Sequence, residues 1–172
     1  MKTFPDFRRG MGFGGWLTNY KRFNVLPPEW RTRLTAGDFE HFRTYLTESD
    51  AENVAAMGFD HVRVGFDQRV LEERPGVFRE EIFDLLDRFC GWFESRGIGV
   101  VLNLHKAVGN YCDVDEPVQL LESAELQDRF VALWLEIERR INEGDKYAEL
   151  VYRTTAYNFR DSKHGADLFG LR

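Results

Sequence analysis

Cysteine is scarce in this chain. Of 172 residues only Cys90 and Cys112 carry a thiol, too few for a disulfide framework and without metal-ligand spacing. A buried thiol and a loop thiol in a reducing compartment is the expected arrangement, and the cytoplasm is the expected location. An excess of basic charge is also lacking: 23 Lys and Arg stand against 29 Asp and Glu, for a formal net charge of -6. A phosphate backbone would meet net repulsion, so nucleic acid is not an expected partner. No window approaches the roughly 18 consecutive apolar residues that cross a bilayer, and no apolar run follows the basic residues near the start. The chain is therefore read as soluble and not exported, with no membrane partner. Low-complexity tracts and short-period repeats are absent as well.

What is present is the material of a packed core. Hydrophobic residues make up 43% of the chain, with 15 Phe, 6 Tyr and 4 Trp, and at roughly 150 residues per domain the length allows about one domain or part of one. Met11-Gly12-Phe13-Gly14-Gly15-Trp16-Leu17 reads as a short opening strand running into a glycine turn. Residues 18–46 follow, too aromatic for a disordered linker and too irregular for one element. Thr47-Glu48-Ser49-Asp50 then caps a helix whose face is Ala51, Val54, Ala55 and Met57 and which Gly58 ends. His61 to Phe66 alternates as a strand. Ile82, Leu86, Phe89 and Phe93 mark a helix over about 80–96 with Gly97 at its end, and 98–104 is an almost continuous apolar run, as in a strand buried on both faces of a parallel sheet. A third helix starts near Ser123, with Leu126, Phe130, Leu133, Ile137 and Ile141 inward and Asp128, Arg129, Glu136, Glu138, Arg139 and Arg140 toward water.

Strands alternating with helices predict an α/β fold with parallel crossovers. The glycines at 10, 12, 14 and 15 superficially suggest a dinucleotide-binding turn, but about thirty residues intervene before the helix that such a turn should open. A (β/α)8 barrel tolerates a long first loop, because its active site is built from the loops at the carboxyl ends of its strands. Arg63, Asn103 and His105 are the polar residues near those ends. By alternation Arg63 shares a face with His61 and Gly65, opposite Val62, Val64 and Phe66, and Asn103 and His105 share a face with Val101. An arginine inside a barrel needs a carboxylate partner. Arg63 serves either a structural ion pair or a site, and His105 either a satisfied structural role or a substrate contact. Trp16, Tyr20, Trp30 and Tyr111 have faces that would stack on sugar rings; packing explains most of them, and sugar contact is favoured for Trp16.

Arg9-Gly10-Met11-Gly12-Phe13-Gly14-Gly15-Trp16-Leu17, the strand from Gly58 to Asp67, the stretch from Val100 to Tyr111, and Thr47-Glu48-Ser49-Asp50 before the first helix together resemble glycoside hydrolase family 5, the cellulase-like (β/α)8 barrels. The similarity runs from residue 8 to about 141. It implies a retaining β-glycosidase acting on β-linked glucan or oligosaccharide without cofactor or metal, one glutamate serving as acid/base and another as nucleophile, about 5 to 5.5 Å apart. It also implies that Arg63 orients the nucleophile and that His105 lines a sugar subsite. Asn110 and Tyr111 join Arg63, His105 and Trp16 as substrate-binding candidates.

The resemblance stops before either glutamate. Asn142-Glu143 mimics the acid/base dipeptide but lies at a helix exit, and Glu149 stands at the start of a candidate fourth strand, 148–154, rather than at its mouth. No catalytic residue is therefore assigned. Residues 1–146 are expected to form the N-terminal part of such a barrel, with 147–172 an atypical tail, as a truncated or frame-shifted reading frame would produce. A complete barrel takes about 250 residues, so three to four βα units are expected here, with self-association through the open sheet edge. Two functions compete: the N-terminal part of a glycoside hydrolase, inactive alone, and a non-catalytic carbohydrate-binding or self-associating half-barrel. A metal-dependent hydrolase is disfavoured, because His41, His61, His105 and His164 are scattered.

Overall fold

The computed structural model of the chain describes residues 7–18, 34–110, 118–143 and 151–152. Its centre is a parallel sheet in the order β1 (Gly10–Leu17), β2 (His61–Asp67), β5 (Gly99–Lys106), β6 (Val151–Tyr152). Each strand lies beside its predecessor, the winding of a barrel wall. Between β2 and the next helix a short helix α3 (Gln68–Leu71) leads into a separate antiparallel hairpin, β3 (Glu72–Arg74) with β4 (Val77–Phe78). The fourth strand falls within the expected 148–154, and Gly58 and Gly97 follow the helices they were expected to end.

Register sorts the strand residues into rows. Gly12, Arg63, Val101 and Val151 are aligned across the four strands, and Phe13, Val64, Leu102 and Tyr152 form the next row. Because successive side chains alternate between faces, Arg63 and Val101 of the first row point away from the helices, and Phe13, Val64 and Leu102 of the second toward them. Phe13 contacts Phe89 and Phe93 of α4 (Glu80–Glu94), and Phe66 meets Trp134 of α5 (Ala124–Glu143). Ala51 and Val54 of α2 (Glu48–Ala56) belong to the same core. Each fully buried phenylalanine, such as Phe66, Phe89 or Phe93, contributes on the order of 2–3 kcal/mol by leaving water.

Two expectations are corrected at this level. Within 18–46 the structure contains a helix, α1 (Ala36–Thr44), opened by the same device as α2: Asp38 accepts hydrogen bonds from the Thr35 amide and hydroxyl, as Asp50 does from Thr47. On α5, three residues expected in water are largely covered. The Arg129, Glu136 and Arg140 side chains are 13%, 16% and 14% exposed. Arg140 lies over the Phe83 ring at 4.0 Å while pairing with Glu80 and Glu136; its stem and flat head cover apolar surface while the charge is neutralised.

The amino end of the sheet is tied shut. Asp60 accepts hydrogen bonds from the Arg8 and Arg9 amides at 2.9 and 3.0 Å and lies 2.6 Å from His61 Nδ1. The His61 ring, stacked on Phe7 at 4.5 Å, lies over Gly10, and the Phe7 ring lies over Gly99; a Cβ at either glycine would run into them. These two rings thus cover Gly10 and Gly99 at the amino end of the sheet. Among the described residues no helix is long and apolar enough to cross a membrane.

Candidate functional site

Arg63 is set on the inner face by the strict alternation of β2. Val62 and Val64 are fully buried on the helix side, while Arg63 between them is exposed. It makes no hydrogen bond or ion pair with the described residues, so the carboxylate partner expected from the sequence is not found among them. One inner row further toward the carboxyl end come Gly65 and Asn103, paired in register. A Cβ placed on Gly65 would touch His105 Cβ at 3.8 Å, Thr18 Cγ2 at 3.9 Å and Asn103 Nδ2 at 4.0 Å. These three side chains therefore converge over a glycine, and Arg63 stands two residues before it, about 6.6 Å along the strand. His105 is half-buried and Asn103 fully buried. Arg63 and His105 thus occupy one face of neighbouring strands.

Trp16, for which sugar contact was favoured, belongs elsewhere. β1 departs from alternation between Phe13 and Leu17, where Gly15 adopts φ 75°, a conformation that glycine enters without steric cost. Simple alternation from Gly12 and Gly14 would put Trp16 inside; the bulge turns it out into the helix layer. There it is 2% exposed, its ring centroid lies 4.8 Å from that of Phe89, and its indole N–H donates to the Phe42 carbonyl at 2.7 Å. His41 Nε2 contacts the Gly15 carbonyl at 2.6 Å from the same helix. No face of the indole is free for a sugar, so Trp16 is a core residue.

Asn110 is buried in the turn that follows β5, where its amide donates to the Ala107 carbonyl at 3.0 Å. Tyr111, Tyr20, Trp30, Cys112, His164 and Glu149 lie outside the described residues, as do the side chains of Asn142 and Glu143. Cys90 is buried in α4, and burial raises its thiol pKa far above the ordinary value, which makes it inert as a nucleophile. No cluster of three or more metal-ligating side chains occurs among the described residues.

Sequence reasoning missed a polar cluster beneath the site. Gln68, Glu72 and Arg129 meet in the interior, and Asp67 and Lys106, both buried, are register partners at the ends of β2 and β5. The signal available for Glu72 was its place in a turn-rich stretch before α4, which reads as solvent-exposed until α5 is folded over it.

A family profile described as Cellulase (glycosyl hydrolase family 5) matches residues 23–150. Endoglucanase C of Acetivibrio thermocellus is 33% identical over 146 residues, which is 83% of this chain and 38% of that protein. Cellodextrinase A of Ruminococcus flavefaciens is 29% identical over 135 residues, covering 77% of this chain and 35% of its own length. A solved structure, a GH5-4 broad specificity endoglucanase from an uncultured bovine rumen ciliate, superposes with a TM-score of 0.58 at 18% identity over 79% of this chain and 35% of that one. The chain therefore spans little more than a third of the length of these relatives. Its rows of parallel strands, with the described helices on one face, form a partial barrel like that of these structural neighbours. By its strand order, its profile match and its relatives alike, the chain belongs to glycosyl hydrolase family 5, as a partial (β/α)8 barrel.

Proposed function

We propose that the chain binds β-linked glucan or oligosaccharide along the inner face of its sheet, with Arg63 and His105 as the central contacts and Asn110 and Tyr111 as further contacts. The observation that carries this reading is the placement of Arg63 and His105 on one face of neighbouring strands, both on the carboxyl side of the Phe7–His61 stack. A guanidinium with no partner among the described residues suits sugar hydroxyls or a carboxylate equally well. In the complete reaction of a retaining glycosidase it would orient the nucleophilic carboxylate while the histidine holds a sugar hydroxyl.

The strand residues turned inward through the middle of the sheet, Gly12, Arg63, Gly65, Val101, Asn103 and His105, include no glutamate. This supports the further reading that the chain alone lacks both catalytic carboxylates and binds without cleaving. Among the described residues β1 and β6 are the edge strands of the sheet, which supports self-association through an open edge, and the scarcity of cysteine supports the cytoplasm as its compartment. The test is incubation with β-1,4- and β-1,3-glucans. Retention on the polysaccharide without release of reducing ends is expected; sustained turnover abolished by Glu149→Gln would overturn the inactive reading.

A further inference from the structure

Glu72 is a buried charge with every donor it needs. Its side chain is wholly buried, and its carboxylate accepts four N–H groups: from Gln68 Nε2 at 3.0 Å, the Gly76 amide at 3.0 Å, and Arg129 Nε and Nη2 at 3.3 and 2.9 Å. The donors come from three separate segments, α3, the β3–β4 hairpin and α5. Gln68, also fully buried, carries the connection to a fourth. Its Nε2 donates to Glu72 and to the Arg129 carbonyl, which fixes its Oε1 toward the Val108 amide, accepted at 3.0 Å. Val108 is the second residue of the 107–110 turn, immediately after His105 and Lys106 and before Tyr111.

A buried ion pair of this kind is a poor way to gain stability, because well-packed apolar side chains of the same volume serve as well or better. What it does supply is a unique geometry, since each of its hydrogen bonds can be made in one arrangement only. The geometry fixed here is that of the 107–110 turn, which follows His105 and carries the candidate Asn110. We propose that Gln68, held by Glu72 and Arg129, is a positioning residue that sets the 107–110 turn in the conformation needed for glucan binding. The proposal rests on the glucan-binding reading above for its consequence, although not for the lock itself.

The test is hydrogen exchange at the Val108 amide in the full chain, wild type against Gln68→Met, with the Val64 and Leu102 amides as reference for the folded sheet and cellotetraose titrated into the same samples. Removing the acceptor should speed Val108 exchange and weaken cellotetraose binding, each by about tenfold, with the reference amides unchanged. Unaltered Val108 exchange, or faster exchange with unaltered affinity, overturns the proposal. If Gln68→Met also exposes Val64 and Leu102, Gln68→Glu decides. Its carboxyl accepts from Val108 in either state but donates to Glu72 only when protonated, so protection and affinity should recover as the pH falls from about 8 to about 5.5. Failure to recover overturns the lock. A wild-type chain that does not bind cellotetraose overturns the glucan reading instead, while Val108 exchange still tests whether Gln68 holds the turn.

Discussion

Gly109 occupies the third position of the turn after β5 with φ 78°, and a Cβ there would lie 2.5 Å from Leu126 Cδ1 and 3.1 Å from the Leu120 amide nitrogen. The leucine tip can swing away; the backbone nitrogen, which donates to the Gly109 carbonyl at 3.1 Å, cannot move without breaking that bond. Gly109→Ala should therefore cost about 1–3 kcal/mol, read as a lower urea midpoint at unchanged slope. An unaltered midpoint would show that the turn is not constrained as described. Trp16 shows how far a single residue limits sequence reading. Aromatic character and its place after a glycine run suggested sugar stacking, but one left-handed glycine, Gly15, decides which face the indole takes, and alternation cannot register a bulge. Arg63 was legible because β2 has no such break through its middle.

Among the elements, those with a full hydrophobic period were legible. α4 has an apolar stripe on one side, and its inward residues Ile82, Leu86, Phe89 and Phe93 are buried. α1 was missed because it buries only Phe42 and so lacks a stripe; its Thr35–Asp38 capping pair was the available signal. The Gln68–Glu72–Arg129 cluster was illegible for another reason: its charges lie 57 residues apart in the chain, and no local pattern reveals such a pairing. Phe89 joins the elements most directly, its ring lying 5.7 Å from Phe13, 4.8 Å from Trp16 and 4.7 Å from Phe93. Phe89→Ala should open a cavity between β1 and α4 and cost about 3–5 kcal/mol, measured by denaturant unfolding. A loss under about 1 kcal/mol would mean that this aromatic cluster does not hold the layers together.

At the scale of the whole molecule, two carboxylates make stability acid-sensitive: Asp60, which ties the Arg8 and Arg9 amides to the start of β2, and Glu136, which pairs with arginines of its own helix α5. The His61 contact first, and then the Arg8 and Arg9 amides, hold Asp60 at about 2, below its ordinary 3.8. Hydrogen bonds from Arg139 and then Arg140 hold Glu136 at about 2, below its ordinary 4.5. Both folded values lie below the unfolded ones, so the stabilisation is complete above about pH 4.5 and is lost as the pH falls toward 2. Stability followed from pH 6 to pH 2 should fall through that window, and Asp60→Asn with Glu136→Gln should flatten the fall; an equally steep profile in the double variant would assign it to other groups.

The strand order and the sidedness of the sheet put Arg63 and His105 on one face of neighbouring strands, and the proposed function depends on that face receiving sugar. The most direct measurement is cellotetraose affinity in the wild type, Arg63→Ala, His105→Ala and Trp16→Phe. Loss of at least about tenfold in each of the first two variants, with Trp16→Phe binding as the wild type does, is the expected result. Binding that survives in Arg63→Ala and His105→Ala, or that fails in Trp16→Phe while the fold is intact, would contradict it.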